Sequence, residues 1–223
     1  MVSCEHRGRA VTRIGFDGRR QVLADAFNGQ MLNSPNDVVV KSDDSIWFTD
    51  PTYGIDSDCE GNAAPSEIGA ANVYRIDGHD GSVTAVVTDL VRPNGLAFSP
   101  DESILYVADT GLSHVGRDCP PYIKAYPMAA DGHAPRGPST TFATFATCDN
   151  GVFDGFRVDA DGNLWSSAGD DVHCFAPDCT LLGKIRLPEV VANVELGGIK
   201  RNRLYICATT SLFALYLNTR AAI

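Results

Sequence analysis

No apolar run in this 223-residue chain approaches the roughly 18 to 20 residues that a helical membrane span needs. Its first residues also lack the order of charged, apolar and small residues that marks a secretion signal. A cytoplasmic protein with no membrane partner is expected. Basic residues are in the minority, 18 against 28 acidic ones for a net charge of -10, and they form no stripe. That balance argues against a nucleic-acid partner. The seven cysteines, Cys4, Cys59, Cys119, Cys148, Cys174, Cys179 and Cys207, are odd in number and include no Cys-x-x-Cys. Neither a zinc site nor a disulfide framework is indicated, and they read as mostly reduced packing residues. The five histidines, at 6, 79, 114, 133 and 173, form no His-Glu-x-x-His cluster, and most are expected in solvated loops. Convincing helical periodicity is absent throughout.

What is present is a foldable composition, 44% hydrophobic and 21% charged, on a chain long enough for a sizeable core. It also repeats. The stretch "SPNDVVVKSDDSIWFTD", with Asn36 and Asp37 directly before a valine run, returns as "RPNGLAFSPDESILYVADT", "FDGFRVDADGNLWSSAG" and "VANVELGGIKRNRLYICATT". Each copy opens on a polar residue, Asn36, Asn94, Asp154 or Asn193. A short apolar strand, a turn and a second strand carrying an aromatic follow. Trp47 and Trp165 lie eleven residues after their leading polar residue, Tyr106 and Tyr205 twelve.

A third strand is expected in each copy, at 72–76, 122–126, 171–175 and 211–217, and a fourth after three of them, at 82–89, 139–146 and 180–187. Units of four antiparallel strands, with leading residues 58, 60 and 39 positions apart, describe blades of a β-propeller. The expected organisation is one incomplete domain over 1–223. It holds the end of a partial blade at 1–25 and successive blades at 32–90, 91–150, 151–190 and 191–223, with insertions at 54–70 and 111–120. In that architecture the innermost strand of each blade runs beside the central channel, so the four leading polar residues are expected to converge on one axis. Oxygen ligands so aimed suit a hard cation such as calcium or magnesium. Taken alone, Asn36 and Asp37 are ordinary turn formers, and Asp37 keeps that reading.

In these four motifs, and in "NSPNDVVVKSDDSIWFTDPTYG" and "RNRLYICATTSLFALYLNTR", the chain resembles the gluconolactonase family. That family is also called the senescence marker protein 30 or regucalcin-like family, and its members are six-bladed propeller lactone hydrolases. The resemblance implies an all-β fold of six-bladed propeller type, present here as about four and a half blades. It implies one divalent metal ion (calcium, magnesium, zinc or manganese) held by Asn94 and Asp154, and a small-molecule lactone substrate. Asp154 would also act as the base toward water, while Asn36 would contact substrate, or the metal through water. The family's Glu-Gly-Pro motif, which carries a third metal ligand, does not occur in this sequence. An N-terminally shortened chain, poorly soluble or weakly active on its own, is therefore expected.

Where some members carry Arg two residues before the first Asn, this chain has Ser34, which cannot clamp a polar sugar. Glu195, two residues after Asn193, reads as a solvated or hydrogen-bonded residue ahead of an extra ligand. A non-catalytic propeller that binds calcium or a protein partner is the alternative, since architecture does not fix function. The strictosidine synthase-like and paraoxonase-like groups are argued against by the Asp-Gly motif and by "TSLFALYLNT" near the end.

Overall fold

The computed structural model describes residues 1–111, 121–144 and 152–222. Most of the expected insertion at 111–120, the end of the strand expected at 139–146, Cys119, Cys148 and His114 lie outside the described residues. The chain is described as two compact units, Met1–Asn94 and Gly95–Ile223.

In the first unit, β1 (Val2–Glu5), β2 (Ala10–Ile14) and β3 (Arg20–Ala24) form a three-stranded antiparallel sheet. A short ribbon of β4 (Ala26–Phe27) and β5 (Gln30–Met31) leads to a four-stranded meander. The meander consists of β6 (Val38–Val40), β7 (Ile46–Asp50), β8 (Asn72–Ile76) and β9 (Val83–Val87). Both faces of β7 and β8 are buried, which is why "IWFTD" and "NVYRI" read as continuous runs rather than alternating ones. Val11, Leu32, Phe48 and Tyr74 anchor the core, with the Tyr74 ring 4.9 Å from Phe27 and 5.4 Å from Phe48. One helix, α1 (Tyr53–Asp56), follows β7. It is a single turn of four residues, too short for periodicity to register.

The second unit begins inside β10 (Pro93–Phe98), which pairs in order with β11 (Ile104–Asp109), β12 (Tyr122–Pro127) and β13 (Thr140–Thr144). A second meander follows: β14 (Phe156–Val158), β15 (Leu164–Ala168), β16 (Asp171–Phe175) and β17 (Leu181–Arg186). The last sheet has three strands, β18 (Val191–Gly197), β19 (Arg203–Ala208) and β20 (Leu212–Tyr216). Phe142, Phe153, Phe156 and Phe175 pack between the first two of these sheets, and Val194, Leu196, Leu204 and Ile206 fill the interior against the third. In place of about four and a half blades, five blade sheets are described, three of four strands and two of three. Among the described residues no helix is long and apolar enough to cross a membrane.

The repeated turn has a physical cause. Asp44, Glu102, Gly162 and Arg201 all adopt a left-handed backbone, with φ of 63°, 56°, 84° and 57°, and each stands two residues before the second strand of its hairpin. In each case the N–H of that residue donates to the carbonyl three residues earlier. Three of the four are not glycine, so the turn needs local compensation for a backbone that costs about 1–2 kcal/mol outside glycine. Side chains supply it at Asp44 and Glu102, and brace the Gly162 turn in the same way. Asp43 Oδ1 accepts from the N–H and hydroxyl of Ser45, and Asp101 Oδ1 accepts from both groups of Ser103. Asp159 accepts the N–H groups of Asp161 and Asn163. The two tryptophans lock onto the same turns, Trp47 Nε1 donating to Ser45 Oγ at 3.0 Å and Trp165 Nε1 to Asp159 Oδ2 at 2.9 Å.

Candidate active site

In the first unit the approach to β6 is held from both sides before any functional group is set. Asn36 N–H donates to Thr49 O at 2.9 Å, and Asp37 N–H donates to Thr49 Oγ1 at 3.1 Å. Upstream, the carboxylate of Asp50 accepts the backbone N–H of Asn33 at 2.9 Å and of Ser34 at 2.8 Å. Ser34, which stands where a substrate-clamping Arg could have been, is spent on structure: its hydroxyl donates to Pro51 O at 2.7 Å and accepts Gly54 N–H at 2.9 Å. Asn33 ties the 54–70 insertion to the same place, donating to Ala70 O and accepting from Ser66 Oγ.

On this frame the half-buried Asn36 side chain donates through Nδ2 to Oδ1 of buried Asn94 at 2.6 Å. Its own Oδ1 lies 2.9 Å from His6 Nε2, and His6 Nδ1 lies 3.3 Å from Glu60 Oε2. Asp37 turns to its own backbone, Oδ1 accepting Val38 N–H at 2.8 Å. Beside Asn94, Arg92 Nη1 donates to Asp56 Oδ2 at 2.9 Å and to Thr52 Oγ1, with its guanidinium 5.9 Å from the centre of the Tyr53 ring. Burial pushes the Asp50 carboxyl up to about 7, against the opposing pull of the Asn33 and Ser34 N–H groups and of Arg9. The Cys4 thiol is raised well above its ordinary value by burial and by the charges of Asp37 and Asp50.

In the second unit, half-buried Asp154 stands two residues before β14, its N–H donating to Ser167 Oγ at 3.0 Å. The glycines of the Pro-Asn-Gly and Asp-Gly motifs are required by space. A Cβ on Gly95 would lie 2.2 Å from Asp154 O and 3.0 Å from Gly155 Cα. One on Gly155 would lie 2.1 Å from Asn193 Cγ. Asn193 Oδ1 accepts Val194 N–H at 2.8 Å, so its side chain is committed locally. Glu195 Oε2 accepts Arg157 Nε at 2.8 Å and its Oε1 accepts Leu196 N–H. The structure thus brings Asn36 together with Asn94, and seats Asn193 against the glycine that follows Asp154. Among the described residues no group of three or more His, Cys, Asp or Glu is arranged to hold a metal ion.

Sequence reasoning misses His6, Glu60 and Asp50. Two of the four described histidines, His79 and His133, are exposed as expected, but His173 is buried and His6 is committed to Asn36. A signal for His6 exists: "CEH" runs off the end of β1 as "TDP" runs off the end of β7, which makes His6 the counterpart of Pro51. The five described cysteines are free. Cys174 is buried, as a packing residue should be, whereas Cys59, Cys179 and Cys207 are exposed.

Comparison with known proteins bears on this geometry. The model of the family "SMP-30/Gluconolactonase/LRE-like region" matches residues 1–210. The chain is 34% identical over 172 residues to a gluconolactonase of Zymomonas mobilis, covering 75% of this chain and 45% of that protein. It is 28% identical over 201 residues to a lactonohydrolase of Aspergillus oryzae, covering 84% and 45%. It spans about half the length of these relatives. A solved gluconolactonase from Xanthomonas campestris superposes with a TM-score of 0.86 at 36% identity, over 96% of this chain and 67% of that one. The fold is an all-β propeller with five blades described. With the family model matched from the first residue to beyond β19, and the motifs at Asn36, Asn94 and Asp154 inside that match, the chain belongs to the SMP-30/gluconolactonase/LRE-like family.

Proposed function

We propose that this chain supplies the reacting groups of a lactone hydrolase that opens the ring ester of a sugar lactone or a small aliphatic lactone to the hydroxy acid. The observation that carries the reading is the set of polar residues just before or at the head of three inner strands, Asn36, Asn94 and Asp154, in a chain about a third identical to a gluconolactonase. The donor types fit an oxygen-selective cation: Asn94 offers an amide oxygen and Asp154 a carboxylate, which are the ligands hard divalent ions take. These two residues would hold one divalent ion, whether calcium, magnesium, zinc or manganese. When bound, such an ion polarises the lactone carbonyl and stabilises the oxyanion formed on attack.

The remaining chemistry belongs to the chain. Asp154 takes a proton from water as the water oxygen adds to the carbonyl carbon. The ring C–O bond then breaks, and the same proton passes to the departing ring oxygen, leaving a hydroxy acid and an ionised Asp154. Asn36, with one Nδ2 hydrogen given to Asn94, presents the other to a substrate oxygen. Arg92 has its guanidinium committed to Asp56 and Thr52 rather than held ready to clamp an anion. Substrates recognised through neutral hydroxyls are therefore favoured over anionic ones.

The test is hydrolysis of glucono-1,5-lactone and of a simple aliphatic lactone by wild type and Asp154→Ala, with calorimetric cation titration of both. Loss of a general base lowers turnover by about 10²–10⁴-fold, and chelation followed by cation add-back should abolish and restore wild-type activity. If Asp154→Ala leaves both cation binding and turnover unchanged, the site assignment is wrong. Cation binding by a wild type that turns over no lactone would favour a calcium-binding propeller without catalysis.

A further inference from the structure

We infer that His6, backed by Glu60, is a positioning residue that fixes which way the Asn36 amide faces. The inference rests on the reading above, in which Asn36 meets substrate and Asn94 a cation. A carboxamide has nearly the same shape either way round, so its orientation is set only by its neighbours. On one side Asn36 Nδ2 donates to Asn94 Oδ1 at 2.6 Å, and on the other its Oδ1 faces His6 Nε2 at 2.9 Å. That second contact is a hydrogen bond only if Nε2 carries a proton, while Nδ1 faces the Glu60 carboxylate at 3.3 Å, which is also an acceptor. With Nε2 as the donor, flipping the Asn36 amide would set N–H against N–H at His6 and oxygen against oxygen at Asn94, so His6 and Asn94 together hold the amide as found.

The ring is also boxed in. A Cβ on Gly54 would lie 2.7 Å from His6 Cβ and 2.8 Å from Ser34 Cβ, and one on Gly61 would lie 2.0 Å from Gly54 O. The α1 turn and the loop carrying Glu60 therefore close on His6 with no side chain between, and Ser34 Oγ holds Gly54 N–H in that position. The His6 side chain is 23% exposed, while Glu60 at 57% can be exchanged without opening the core. This gives the 54–70 insertion a role: it brings in the backing carboxylate.

The experiment compares His6→Ala, His6→Gln and Glu60→Gln by lactone kinetics and by the Asn36 side-chain amide signals in ¹⁵N NMR of the cation-free protein, assigned with Asn36→Asp. Glutamine keeps an N–H donor near the reach of Nε2. His6→Ala is expected to lower kcat/KM about tenfold, the worth of one hydrogen bond, and to shift and broaden the Asn36 signals. His6→Gln should recover kcat/KM to within about threefold and restore the signals, and Glu60→Gln should fall between. Unchanged Asn36 signals in His6→Ala, or His6→Gln behaving no better than His6→Ala while melting with the wild type, overturns the inference. A wild type without lactone turnover would sink the proposed function instead, and the NMR arm would still decide the role of His6.

Discussion

The starts of β6 and β10 in the first unit and the start of β14 in the second solve one problem in two ways. All three present a polar side chain just before or at the head of an inner strand. At Asn36 the position is held by side chains: Asp50 grips the preceding backbone, and Asn36 lies between His6 and Asn94. Around Asp154 it is held by backbone contact, with Gly95 against Asp154 O and Gly155 against Asn193, because neither glycine leaves room for a Cβ. The residue after Asn36 is Asp37, which carries a side chain; the residues after Asn94 and Asp154 are glycines. The same repeat can therefore be tuned by hydrogen bonding in one place and by close packing in another, and the two should fail differently.

Close packing should fail hardest. Gly95→Ala must displace main chain, since the obstructing atoms are Asp154 O and Gly155 Cα. Overpacking of this kind costs about 3 kcal/mol, a fall in melting temperature of about 6–12 °C for a chain of this size. Gly155→Ala meets a side chain instead, and Asn193 can turn aside by giving up its bond to Val194 N–H. A cost of about 2 kcal/mol is expected. Calorimetric melting of the two variants checks the order, and equal or negligible losses would break the comparison.

Hydrogen-bonded positioning should fail through pH. Burial raises the Asp50 carboxyl from 3.8 to about 7, so the folded state favours its neutral form more than the unfolded chain does. The resulting stability is fully present below about pH 4 and is lost as pH rises through about 7. Carboxyls such as Asp101, lowered mainly by the Ser99 hydroxyl, act in the opposite sense and lose their contribution only as pH falls below the ordinary carboxylate range. Between pH 4 and 8, wild type should therefore lose melting temperature relative to Asp50→Asn, whose side chain does not titrate. Parallel curves across that interval would show that the two backbone N–H bonds outweigh burial.

Strand positions were legible because each copy couples an apolar run to an Asp-rich turn. The third strands expected at 72–76 and 171–175 match β8 and β16 residue for residue. The left-handed turn position was not legible, since Asp44, Glu102 and Arg201 carry no glycine signature. Nor was α1, one turn long. The partners of Asn36 are harder still: His6 is 30 residues away and Asn94 is 58, so the contacts exist only once neighbouring strand ends are set side by side. Asp50 was hidden for another reason. It ends a strand buried on both faces, where alternation cannot say which way a carboxylate turns.

The weakest effect should come from the polar pair that resembles Asn36–Asn94 on paper. Arg157 Nε donates to Glu195 Oε2 at 2.8 Å, joining β14 and β18 as the two amides join their strands. The difference is solvent: the Glu195 side chain is 58% exposed, so water screens the pair and competes for both groups. Glu195→Gln keeps the size and an acceptor while removing the charge, and it should change stability by about 0.5 kcal/mol or less, with lactone turnover unaffected. A melting shift of several degrees, or altered cation affinity in the same titration used for Asp154→Ala, would move Glu195 from the surface of the argument into the site. The contrast would then rest on neither exposure nor packing, and the polar residues of the last inner strand would have to be counted with those of the first three.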